Sequence, residues 1–159
     1  MTHFYVLLLA LGIGVVAGLR SMTAPAVVAW AAMLHWINLN GTWASWMAYP
    51  VTVAVFTILA VGELVADKLP MTPNRTSPPS FAARIISGAF SGAVIGTAWG
   101  YTWSALGAGA VGAVLGTLGG FHVRTRVFVL PGNALPIALL EDAIAVLGGL
   151  AIAATTAVL

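Results

Sequence analysis

Residues 81–100, FAARIISGAFSGAVIGTAWG, run directly into residues 101–120, YTWSALGAGAVGAVLGTLGG, and this stretch decides the fold. Glycine recurs at every fourth position in Gly88, Gly92, Gly96 and Gly100, and after Ala108 the same phase continues at Gly112, Gly116 and Gly120. Residues four apart lie on one helix face. In water each glycine would cost such a helix about 1 kcal/mol relative to alanine. In lipid a small-xxx-small face instead lets two backbones approach closely and gain dispersion contact. The spacing predicts two helices, the fourth and fifth of the chain, packed as a tight hairpin inside a membrane.

Composition points the same way. Of 159 residues, 60% are hydrophobic and 6% charged, with a mean hydropathy of +1.02, against roughly 25% charged in an ordinary soluble domain. At about 20 residues per crossing, the chain has room for roughly six spans. The expected fold is an all-α integral membrane bundle forming a single polytopic domain, with helices near 4–19, 24–37, 46–66, 82–100, 105–121 and 134–157. There is no cysteine, which excludes disulfides and thiolate metal sites. A net charge of +2, interrupted by apolar sequence, excludes a nucleic-acid surface.

Taken in order, the run 4–19 has no Lys or Arg before it and reads as a span rather than a signal peptide. In GLRSMTAPA, 18–26, Thr23 is placed to cap the second helix and Pro25 to sit in its first turn. That helix is short for a full crossing, so a re-entrant segment is the competing arrangement. Four prolines, Pro70, Pro73, Pro78 and Pro79, interrupt PMTPNRTSPPS, 70–80, and forbid a continuing helix.

With six spans, Arg20, Lys68, Arg75, Arg84, Arg124 and Arg126 all fall on one side. The positive-inside tendency makes that side cytoplasmic and leaves both termini outside. Trp36, Trp43, Trp46, Tyr49, Trp99, Tyr101 and Trp103 fall at the opposite end, where an aromatic belt meets the headgroups. A bacterial-type inner membrane is the expected location.

The acidic residues Glu63, Asp67, Glu141 and Asp142 lie at the cytoplasmic ends of the third and sixth helices. A charge at the bilayer centre costs about 2.5–3.5 kcal/mol on insertion scales, so charges this near the membrane have a partner or a task. Glu63 and Asp67, four apart on one face, repel unless an arginine lies between them or one keeps its proton. The candidate ligand- or ion-binding set is therefore Arg20, Glu63, Asp67, Arg84, Arg124, Arg126, Glu141 and Asp142. A salt-bridge cluster locking the ends of the bundle together is the competing role for the same residues.

GLRSMTAPA (18–26), ELVADKLP (63–70), RTSPPSFAARIISGAFSGA (75–93) and LLEDAIA (139–145) together resemble the uncharacterised membrane-protein family catalogued as domain of unknown function 4126. The resemblance covers most of the chain, with ELVADKLP its most specific piece. It implies a membrane location and puts weight on Arg20, Glu63, Asp67, Lys68, Pro70, Arg84, Glu141 and Asp142. It implies no substrate.

No metal spacing joins His3, His35 and His122, no glycine-rich phosphate loop is present, and no serine sits in a nucleophile elbow. Neither a cofactor nor an enzymatic activity is expected. Helices two, four and six begin at the basic end, where unpaired N–H groups and arginines together suit a phosphate, a lipid headgroup or a small inorganic anion. Two functions follow. One is a small transporter or channel for an anionic or lipid-like ligand. The other is a non-transporting module that binds lipid or a partner protein through its basic face or glycine helices, and forms a homo-oligomer if the glycine ladders are exposed.

Overall fold

A computed structural model describes residues 1–67, 77–127 and 134–158. Within them the chain forms six α-helices and no strand: α1 (His3–Leu19), α2 (Thr23–Met33), α3 (Pro50–Ala66), α4 (Pro78–Thr97), α5 (Thr102–Val127) and α6 (Ala134–Val158). Proline opens α3 and α4, where its missing N–H would have had no helical partner anyway. Three described helices are long and apolar enough to cross a membrane, at Pro78–Thr97, Thr102–Val123 and Ala138–Val158. The apolar helices α1 and α3 have 17 residues each, which makes them about 25 Å long.

The second helix is shorter than its expected span. It has 11 residues, about 17 Å, and stops at Met33 rather than near residue 37. His35 stops it by taking a left-handed backbone, φ 60°. The His35 N–H then bonds Ala32 O at 3.2 Å and the Trp36 N–H bonds Ala31 O at 2.8 Å, the paired bonds of a Schellman termination. Segment 34–49 continues without α-helix and folds inward, burying Ile37, Leu39, Ala44 and Met47. A short 3-10 turn, Ser45–Ala48, precedes α3, so Trp46 lies outside the helix it was expected to open. Trp43 ties this segment to the end of α4 by donating Nε1–H to Thr97 Oγ1 at 3.0 Å.

The fifth helix runs past residue 121 to Val127. Arg124 and Arg126 therefore stand on a helix instead of in a turn; the Arg124 side chain lies outside the described residues. So do residues 68–76, with Lys68, Pro70 and Arg75.

Helix α5 packs against both α1 and α4. A Cβ on Gly92 would stand 2.5 Å from Ala105 O, and one on Gly88 would stand 2.7 Å from the Ala113 Cβ. On α5, however, Gly112 and Gly116 face α1: a Cβ there would fall on the carbonyl oxygens of Leu11 and Val15. It is Gly109, outside the four-residue ladder, whose Cβ would fall on Gly88 O of α4. Gly100 has a different role again. At φ 78° with nothing within 4 Å of a built Cβ, it reverses the chain after α4. Among the described residues, the largest apolar cluster joins Ile13 of α1, Val28 of α2, Met47 of the 3-10 turn and Val94 of α4. This packing brings the end of α1, the start of α2, the end of α3 and the starts of α4 and α6 together.

Candidate charged site at one end of the bundle

The site is built around the break between α1 and α2, because a helix break leaves backbone groups that both helices must satisfy. At the end of α1 the carbonyls of Gly18 and Leu19 have lost their helical partners. Arg84, from the second turn of α4 and only 4% exposed, donates Nη1–H to Gly18 O at 2.6 Å and to Leu19 O at 2.9 Å. Thr117 of α5 adds a bond to Gly18 O at 3.2 Å. A cation thus closes the negative end of the α1 dipole.

The opposite arrangement holds at the start of α2. Thr23 was expected to cap this helix, and it does not: the N-cap position is Met22, with no side-chain cap bond of its own. Glu63 of α3 takes that role from across the bundle. Its Oε1 accepts from the Ser21 N–H at 2.9 Å and from the Ser21 hydroxyl at 2.8 Å, and its Oε2 accepts from the Met22 N–H at 2.8 Å. Two orphan donors and the positive end of the dipole are met by one carboxylate.

Arg20 lies between these two caps and is 1% exposed. Its guanidinium donates Nη1–H to Asp67 Oδ2 and Nη2–H to Asp142 Oδ1. One arginine therefore joins the α1–α2 turn to the end of α3 and to α6. Its planar fork can serve two carboxylates at once, which a lysine ammonium does less well. Ser87, one turn beyond Arg84 on α4, donates its hydroxyl to Ser21 O and fixes α4 to the same turn.

Of the residues singled out from sequence, Arg20, Asp67 and Asp142 meet directly, while Glu63 and Arg84 flank them on backbone groups. Glu141 is half-buried, and its Oε1 stands 3.6 Å from where a Cβ on Gly120 would be. Arg126 is exposed. Sequence reasoning missed Ser21, Ser87 and Thr117; the one signal available was that Arg84, Ser87 and Ser91 share an α4 face at helical spacing. The described residues contain no cluster of metal-ligating side chains. What the arrangement does chemically is hold charge in a low-dielectric place with partners supplied by the chain itself.

Below this network, α2, α3 and α6 leave a cleft of about 260 Å³, lined by Thr23, Trp30, Thr57, Ala60 and aliphatic side chains. A wider cleft of about 520 Å³ lies between α4 and α5 near Trp43, Phe90 and Trp103.

Among the described residues, three apolar helices are of crossing length, and Arg20, Glu63, Asp67, Arg84 and Asp142 gather around one helix break, which is the arrangement of a membrane-like protein. More particularly, the chain belongs to the family described as Domain of unknown function (DUF4126), whose family model matches residues 7–159. No curated protein and no solved structure matches it.

Proposed function

We propose that the chain is a six-span protein of a bacterial-type inner membrane that takes a lipid-like ligand at its charged, cytoplasmic end and transports it. The observation that carries this reading is the position of the apolar cleft, directly below the buried network that joins the three helices lining it. A ligand with a polar head and an apolar tail meets both. Its small-anion form has less support. Arg20 and Arg84 direct guanidinium N–H groups at internal carboxylates and carbonyls, and Glu63 already covers the N-terminus of α2.

In this reading α2 and the irregular segment after it cross together. Irregular backbone is tolerated at membrane depth where protein surrounds it, and the burial of Ile37, Leu39 and Met47 supports that. Close α4–α5 packing through the glycine ladder is part of the same reading, supported by the lack of room for a Cβ at Gly88 and Gly92. Glycines turned inward are not a surface for a second copy. No catalytic step is included.

A non-transporting, lipid-binding module is the second reading. The observation favouring it is that the network is made of internal caps, as a static lock would be. Proteoliposomes with a fluorescent phospholipid analogue separate the two. Transport predicts that the protein speeds the loss of inner-leaflet fluorescence to an external reductant, and that a Glu63→Gln, Asp67→Asn double variant does not. Retained lipid without flux would establish the binding module instead, and neither flux nor retained lipid would end both readings.

A further inference from the structure

We infer that the bilayer surface dips beside the end of α3 by about one helical turn, roughly 5 Å, so that phospholipid headgroups and their water reach Glu63 and Asp67 from that side. The inference rests on the membrane reading above and not on transport.

Helices α1, α2 and α3 meet the charged network with their ends, whereas α4, α5 and α6 run past it. α1 ends at Leu19, α2 starts at Thr23 and α3 ends at Ala66. In contrast α4 starts before Arg84, α5 continues beyond Thr117 and α6 starts before Asp142. A Cβ on Gly18 would stand 2.8 Å from Gly116 Cα, and Thr117 bonds Gly18 O, so this part of α5 is level with the end of α1. Arg20 joins that end to Asp67. Beyond this level α5 stays apolar and exposed: Leu118, Phe121 and Val123 carry its surface about 9 Å past Thr117. Leu139 and Leu140 are exposed on the corresponding turns of α6. The surface of α3 changes character instead. Val51, Val55, Ile58, Val61 and Val65 are exposed along it, and then comes Asp67, with Glu63 one turn before it, both half-buried.

Length decides between a dip and a flat bilayer. α3 has 17 residues, about 25 Å, against about 30 Å of hydrocarbon. Tilting shortens its projection further, so tilt cannot supply the missing length. At the opposite end Trp46 and Tyr49 are exposed and hold the start of α3 at headgroup level, which puts the mismatch at the charged end. A flat bilayer fitted to the Thr102–Val123 crossing of α5 would set the half-buried carboxylates of Glu63 and Asp67 against hydrocarbon, where charge is costly. A span that is too short is met by local thinning of the bilayer. The thinning falls on the side where α3 stops and not on the side where α5 continues.

The test is the depth of nitroxide labels in vesicles of phosphatidylethanolamine and phosphatidylglycerol, read from their relaxation by oxygen, which favours hydrocarbon, and by a water-soluble nickel chelate. Val65→Cys, Leu118→Cys, Ile58→Cys and Val123→Cys are labelled one at a time, all at exposed positions in a chain without native cysteine. Ile58 marks hydrocarbon and Val123 marks the headgroups. Val65 should be relaxed mainly by nickel, as Val123 is, and Leu118 mainly by oxygen, as Ile58 is. Ala66→Cys, also exposed, gives the same reading should Val65→Cys not fold. Oxygen-dominated relaxation at Val65 overturns the inference, since the bilayer is then flat. Nickel-dominated relaxation at both Val65 and Leu118 overturns it as well, since the thinning is then not local. Nickel-dominated relaxation at Ile58 places α3 outside the bilayer and ends the six-span reading together with the dip. A dip found without lipid flux in proteoliposomes leaves the inference standing and ends transport alone.

Discussion

At the scale of single residues, the glycines of α5 divide by what faces them. Gly112 abuts the Leu11 carbonyl of α1, whereas Gly107 and Gly119 have no atom within 4 Å of a built Cβ. Backbone cannot yield as a flexible side chain can, so Gly112→Ala should cost about 1–3 kcal/mol through overpacking. Gly119→Ala should be neutral or gain up to about 1 kcal/mol from helix propensity. Detergent-denaturant unfolding followed by circular dichroism measures both, and equal effects would mean that the α1–α5 contact is looser than described. The four-residue spacing could be read from sequence, but the partner could not. Periodicity identifies the face of a helix that carries small residues, and only packing says whether α1 or α4 lies on it.

Among the elements, the break between α1 and α2 is held by opposite charges from α3 and α4, with Arg20 between Asp67 and Asp142. Removing one member of a buried ion cluster leaves its partners without their counter-charge, at a cost of about 3–5 kcal/mol. Arg20→Met should therefore destabilise by that amount in the same unfolding assay. The triple variant Arg20→Met, Asp67→Asn, Asp142→Asn should recover most of it, because no uncompensated charge is left. A triple variant as unstable as the single one would show that packing of the arginine stem, rather than charge, is what matters.

The charge placement was legible because charged residues are scarce in this chain and fall at helix ends. The bonding was not. Glu63 meets Ser21 and Met22 through tertiary structure, and nothing local distinguishes a carboxylate that caps another helix from one that repels Asp67. The early stop of α2 was also hidden, since the left-handed residue is a histidine and not the glycine that usually announces such an end.

For the whole molecule, the orientation we propose puts the charged helix ends on the cytoplasmic side and the aromatic ends outside. The segment holding Asn40 and the last turns of α5 holding Thr125 are exposed at opposite ends, and the absence of native cysteine makes single-cysteine labelling clean. The most direct measurement introduces Asn40→Cys and Thr125→Cys separately and treats intact cells, then lysed cells, with a membrane-impermeant maleimide. The account predicts that Asn40→Cys reacts in intact cells and Thr125→Cys only after lysis. Labelling of Thr125→Cys from outside, or of both positions from the same side, would contradict it.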